Sequence, residues 1–115
     1  MHEYSIVSAL VHQVEVEARA HRALAVQRVR VRLGELAGVE SELLVAAYEL
    51  ARAGTVCAGA ELEIVAVPAR WECSECSATI PRGARLTCPR CARPARLAAG
   101  EDLLLERIEM EVPDV

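Results

Sequence analysis

Apolar residues recur at spacings of three and four through residues 4–22, where Ile6, Val7, Leu10, Val11, Val14 and Ala18 share one side. Glu15, Arg19 and Arg22 fall toward the other, so an amphipathic helix is predicted. Glu3 lies at its positive end, where a carboxylate is favoured. Over residues 26–33 the period drops to two. Val29, Val31 and Leu33 point one way and Arg28, Arg30 and Arg32 the other, the pattern of a half-buried strand. Gly34 and Gly38 bracket a turn. Ser41 is the expected N-cap of a second helix, whose broad apolar face is Leu43, Leu44, Ala47, Tyr48, Leu50 and Ala51, with Gly54 placed to end it. A second strand covers residues 60–67, where Leu62 and Ile64 alternate with Glu61 and Glu63 before Pro68 closes it. A third covers residues 103–112, where Ile108, Met110 and Val112 alternate with Arg107, Glu109 and Glu111. Its alternation slips at Leu103-Leu104-Leu105, which fits a bulge or a stretch buried on both faces.

These elements predict an α+β fold, two helices packed on a three-stranded mixed sheet, built from residues 1–67 together with 101–115. The intervening residues 68–100 carry their own punctuation (Pro81, Gly83, Pro89, Pro94, Gly100) and read as a small inserted module. One strand shows three arginines outward and the other two show glutamates, so the basic strand should neighbour an acidic one. The arginine row then reads as a solvated sheet face rather than a binding stripe.

Composition narrows the picture. Hydrophobic residues make up 53% of the 115, enough for a core, but there is one Trp, two Tyr and no Phe, so Leu, Val, Ile and Ala must fill it. A net charge of -4 and the scarcity of rings argue against nucleic acid. The segment from Pro68 to Arg96 departs from the average: six arginines face only Glu72 and Glu75, a balance of +4. No apolar run is long enough to cross a membrane and no basic leader opens the chain, so a cytoplasmic protein is expected.

Four of the five cysteines form two CxxC pairs, Cys73-Ser74-Glu75-Cys76 and Cys88-Pro89-Arg90-Cys91, separated by eleven residues. Two such knuckles can set four thiolates at tetrahedral corners, the arrangement structural Zn²⁺ prefers, and leave no position for water or substrate. The inserted module is therefore expected to be zinc-ribbon-like, with metal binding supplying the folding free energy that so short a segment lacks. Cys57 has no partner in either pair and reads as a small, half-buried hydrophobe. Trp71, just before the first knuckle, reads as packing between the module and the main domain.

His2 stands out by position. Its imidazole, its backbone nitrogen and the Met1 α-amine can close adjacent chelate rings, and the Glu3 nitrogen can fill a fourth corner, with its carboxylate nearby. Such a planar, nitrogen-rich set suits Ni²⁺ or Cu²⁺. From this chemistry alone, an N-terminus with no metal role stays open. His12 and His21 read as exposed helix surface.

Read together, several segments resemble the HypA/HybF family of hydrogenase nickel-insertion accessory proteins. They are Met1-His2-Glu3, Val29-Arg30-Val31 leading into Gly34-Glu35-Leu36-Ala37-Gly38-Val39-Glu40, Ala60-Glu61-Leu62-Glu63-Ile64, and the two knuckles. The resemblance implies a nickel metallochaperone rather than an enzyme. It would hold labile Ni²⁺ through His2, with help from Met1 and Glu3, and structural Zn²⁺ through Cys73, Cys76, Cys88 and Cys91. The partners implied are a hydrogenase-maturation GTPase and the [NiFe]-hydrogenase large subunit precursor, with urease accessory proteins as further candidates. The chain departs from many relatives at Ile6, at Ser41 where they carry Pro, and at Ala92 where they carry Gly. Glu40 offers a carboxylate near the turn where some relatives place one close to nickel, and the zinc module contains no His. The alternative is a zinc-ribbon adaptor that docks protein, with His2 incidental.

Overall fold

The computed structural model describes residues 2–113, His2 by its backbone only. In chain order the elements are α1 (His2–Ala20), β1 (Ala25–Gly34), α2 (Ser41–Ala51), β2 (Glu61–Val67), β3 (Arg70–Cys73), β4 (Thr79–Ile80), β5 (Ala95–Ala99) and β6 (Leu103–Glu111). They divide into two compact units. The first is Met1–Arg32, Val39–Val65 and Leu104–Val115, and the second is Leu33–Gly38 and Ala66–Leu103.

The first unit is the expected helix-on-sheet layer, with strand order β2-β1-β6. Arg28 meets Glu61 and Arg30 meets Glu63, so β1 and β2 advance together, with α2 as the crossover. The Leu24 N–H donates to the Glu111 carbonyl at 2.7 Å, pairing the start of β1 with the end of β6, so the sheet is mixed. Val7, Val11 and Val14 of α1 meet Val29, Leu62, Tyr48 and Cys57 in one core, following the predicted helical line. Leu44 is wholly buried there. The Tyr48 hydroxyl donates to the Ala60 carbonyl at 2.8 Å, which satisfies its polar tip within this apolar layer. Cys57 packs as a hydrophobe too, but it is fully enclosed rather than half-buried, and burial pushes its thiol pKa up.

Two boundaries differ from expectation. Ser41 is the first helical residue rather than the cap. Glu40 holds the cap position in extended conformation (φ -88, ψ 135): its carbonyl accepts the Leu44 N–H at 3.0 Å, and its side chain makes no cap bond. The helix then closes at Arg52, whose N–H reaches the Tyr48 carbonyl, and Gly54 sits in the turn beyond at φ 73.

β1 has acidic neighbours on both sides. Arg28 lies within 3.6 Å of Glu61 and 3.4 Å of both Glu63 and Glu109, while Arg32 lies 3.6 Å from Glu106. These groups are substantially exposed, so each pair contributes a few tenths of a kcal/mol up to about 1. In β6, Leu103 and Leu105 are half-buried and so are Ile108 and Met110, with Glu106 and Arg107 both exposed between them. The phase change read in the sequence therefore falls at these two charged residues. Among the described residues, no helix is long and apolar enough to cross a membrane.

The second unit is built on a separate antiparallel sheet, β4-β3-β5, with Trp71 opposite Ile80 on one side and Leu97 on the other. The end of β1 and the turn after it belong here. The Gly34 N–H bonds the Asp102 carbonyl at 2.8 Å, and the Leu36 N–H bonds the Gly100 carbonyl at 2.7 Å. A Cβ at Gly34 would strike the Gly100 carbonyl. One at Gly100, where φ is +95, would stand 2.6 Å from the Ala69 Cα. Only glycine permits this crossing of backbones.

Candidate metal centre

Each knuckle follows from local backbone bonding. β3 delivers Cys73 buried at its end, and the chain then folds back so that the Ser77 N–H meets the Cys73 carbonyl at 3.1 Å. In the second knuckle the Ala92 N–H meets the Cys88 carbonyl at 2.9 Å. Ser77 and Ala92 both take left-handed conformations, φ 60 and φ 56, to close these turns. Ala92 thus adopts the conformation that glycine holds without cost, and the knuckle keeps its shape. Backbone N–H groups also point at sulfur. Those of Glu75 and Cys76 lie 3.4 and 3.5 Å from the Cys73 Sγ, and that of Arg90 lies 3.4 Å from the Cys88 Sγ.

The structure brings all four predicted cysteines together, with every Sγ within 4.8 Å of the others. Cys73 and Cys91 approach to 3.3 Å and Cys76 and Cys88 to 3.7 Å. A tetrahedral ion with metal–sulfur bonds of about 2.3 Å has sulfur–sulfur edges of about 3.8 Å, so this cluster fits a metal ion such as zinc. Cys73 and Cys88 are buried, whereas Cys76 and Cys91 are exposed. The Cys76 and Glu75 N–H groups hold the Cys73 thiol down to about 6. Cys91 is pushed up to about 12: the Arg93 N–H favours its thiolate, but the neighbouring Cys73 sulfur and desolvation outweigh it. Four sulfurs at such separations do not all ionise without a cation among them, so metal entry displaces protons.

Sequence reasoning missed a clasp elsewhere in this unit. The Glu35 carboxylate accepts both guanidinium arms of Arg82, at 2.9 and 2.5 Å, and the Ala69 N–H at 2.9 Å. The Arg82 guanidinium and then the Ala69 N–H hold the Glu35 carboxyl down to about 2. The pair is 47 residues apart in sequence, and no local pattern marks it. Glu35, Arg82, Trp71, Leu36, Ile80 and Leu86 line an open groove of about 580 Å³. The six arginines of this segment do not form one free patch, since Arg70 and Arg96 both pair with Glu72 and Arg82 with Glu35.

Met1 and the His2 side chain, on which the predicted nickel site rests, lie outside the described residues. The His2 backbone opens α1, Glu3 is half-buried in its first turn, and Glu40 is exposed at the α2 cap. His12 and His21 are exposed, and the His21 Nδ1 lies 2.9 Å from the Glu17 carbonyl.

Comparison with known proteins supplies the context for this architecture. Residues 1–110 match the family model for HypA, described as hydrogenase/urease nickel incorporation, metallochaperone. The chain is 41% identical over 116 residues to a hydrogenase maturation factor HypA of Shewanella sp. (strain MR-7), covering 99% of this chain and 98% of the relative. It is 44% identical over 112 residues to the HypA of Nitrosospira multiformis, covering 96% and 97%. Among solved structures, the Ni metallochaperone HypA from Helicobacter pylori matches with a TM-score of 0.74 at 31% identity, covering 96% of this chain and 98% of that one. A second HypA solution structure gives a TM-score of 0.80 at 33% identity, with 96% of each chain covered. With a match that runs over residues 1–110, the chain belongs to the HypA family of hydrogenase maturation factors and nickel-incorporation metallochaperones.

Proposed function

We propose that the chain carries Ni²⁺ at its N-terminus and passes it, with a GTPase partner, to the large subunit precursor of a [NiFe]-hydrogenase. One structural Zn²⁺ sits on Cys73, Cys76, Cys88 and Cys91. The observation that carries this reading is the closure of the sulfur cluster within a chain of the nickel-incorporation family. Four thiolates around one ion leave no vacant position, so the cluster serves shape and not traffic. A transported ion needs an accessible site from which a competing ligand can remove it.

Met1, His2 and Glu3 offer that site. The first N–H groups of a helix have no intrahelical acceptor, so metal can replace the His2 and Glu3 amide protons without breaking a helical bond. The His2 imidazole and the Met1 α-amine complete a planar nitrogen set suited to Ni²⁺. Transfer is then ligand exchange, and no residue is assigned a catalytic step. Nickel belongs to the residues 1–67 with 101–115 and zinc to 68–100, in a cytoplasmic protein that also serves urease accessory proteins where these are present.

Native mass spectrometry of tag-free protein with added Ni²⁺, beside His2→Ala, tests the reading. One zinc in both and one nickel in the parent alone is the expected result. Equal nickel uptake by His2→Ala would remove the terminal site and leave a zinc-ribbon adaptor.

A further inference from the structure

The four cysteines are not equivalent in exposure, and their contacts couple unlike members. Exposed Cys91 touches buried Cys73 at 3.3 Å, and exposed Cys76 touches buried Cys88 at 3.7 Å. Each contact joins one knuckle to the other. We propose that the cluster is an oxidant-responsive zinc-release site, in which a hydroperoxide attacks an exposed sulfur and the buried sulfur of the opposite knuckle resolves it. This inference rests on the zinc reading above.

The chemistry balances with hydrogen peroxide as the oxidant. The Cys91 sulfur attacks one peroxide oxygen. A sulfur–oxygen bond forms, the oxygen–oxygen bond breaks, and the departing hydroxide takes a proton to become water. The Cys73 sulfur then attacks the resulting sulfenic acid, forming the disulfide and expelling the second oxygen, which leaves as water on protonation. The two cysteines lose two electrons and the peroxide gains them. Two of four ligands are lost, and Cys76 and Cys88 alone do not complete a tetrahedral site, so Zn²⁺ leaves. The remaining pair closes by the same route, with exposed Cys76 attacking and Cys88 resolving.

Both links tie the knuckles to one another, so the oxidised unit keeps its sulfurs within reach. Cys57 lies outside this chemistry because it is wholly enclosed, out of reach of the peroxide.

The sequence makes the pairing readable. Tryptic cleavage gives Cys73 and Cys76 on residues 71–82, Cys88 on residues 86–90 and Cys91 on residues 91–96, since Arg93 precedes Pro94. Zinc-loaded protein would be treated with hydrogen peroxide while a chromogenic chelator reads released metal. Remaining thiols are then alkylated and the peptides are mapped by tandem mass spectrometry. The expected result is full zinc loss in step with Cys73–Cys91 and Cys76–Cys88 links, with Cys57 recovered alkylated. Zinc retained after oxidation, or links within the knuckles (Cys73–Cys76, Cys88–Cys91), overturns the proposal and leaves the zinc site standing. Reduced protein purified without zinc overturns the zinc reading itself, and the release with it.

Discussion

The two units are held together by different means. In the first, Val7, Val11, Val14, Val29, Val31, Leu44, Tyr48 and Cys57 are all buried. In the second, the buried apolar side chains are Leu33, Ile80 and the two thiols of Cys73 and Cys88, so only two hydrocarbon side chains are fully enclosed. It substitutes a sulfur cluster, a glycine crossing and a carboxylate–guanidinium clasp for a core. Hydrophobic burial is cooperative over a whole layer, whereas each of these devices acts at a point.

Removing metal should break the contrast most severely. Structural zinc in small modules contributes on the order of 10 kcal/mol, so chelation or Cys73→Ser should melt the second unit. In amide hydrogen exchange, β3 and β5 should lose protection while α1 and β1 keep theirs. Uniform loss would mean that the units are not independently stable. The converse probe is Leu44→Ala, which opens a void in the first unit and should cost about 2–5 kcal/mol in urea titration. Zinc stoichiometry should remain at one per chain, and its fall would show that the core also supports the cluster. Ala92→Gly should act the other way. Relieving the left-handed alanine stabilises the zinc-loaded second unit by about 1 kcal/mol, read as slower metal loss to a chelator. An unchanged rate would place the strain elsewhere.

The smallest effect is electrostatic and depends on pH. Glu35 has its pKa lowered from 4.5 to about 2, so the clasp contributes fully above the ordinary carboxylate range and is lost as pH falls through about 2. Because the pair is exposed, its contribution is modest. Carbon NMR of the side chain in zinc-loaded protein should show ionised Glu35 at pH 4, with Arg82→Ala returning the midpoint toward the ordinary value. An ordinary midpoint in the parent would mean that the clasp does not form.

What the sequence disclosed follows from range. The helical stripe of α1, the alternation of Val29, Val31 and Leu33, and the two CxxC pairs are all written within a few turns or strand residues. Charge alternation even predicted the neighbours of β1, because Arg28, Arg30 and Arg32 needed counterparts on adjacent strands. The Ser41 cap failed for a local reason: backbone hydrogen bonding began one residue earlier, at Glu40, and used no side chain. Glu35–Arg82 and Gly34–Gly100 were illegible because each joins distant segments through one contact, with no periodicity to announce it. The cross-knuckle sulfur contacts belong to the same class, since spacing gives four ligands and not which two touch.

The chain passes between the units four times, at residues 32–33, 38–39, 65–66 and 103–104. During synthesis this order has a consequence. When the ribosome has delivered β1, α2 and β2, the central strand still lacks its β6 neighbour, and that neighbour emerges after all four cysteines. Zinc can therefore be captured while β1 is still an open edge, and the sheet is sealed last, by the strand that follows the metal-bound segment.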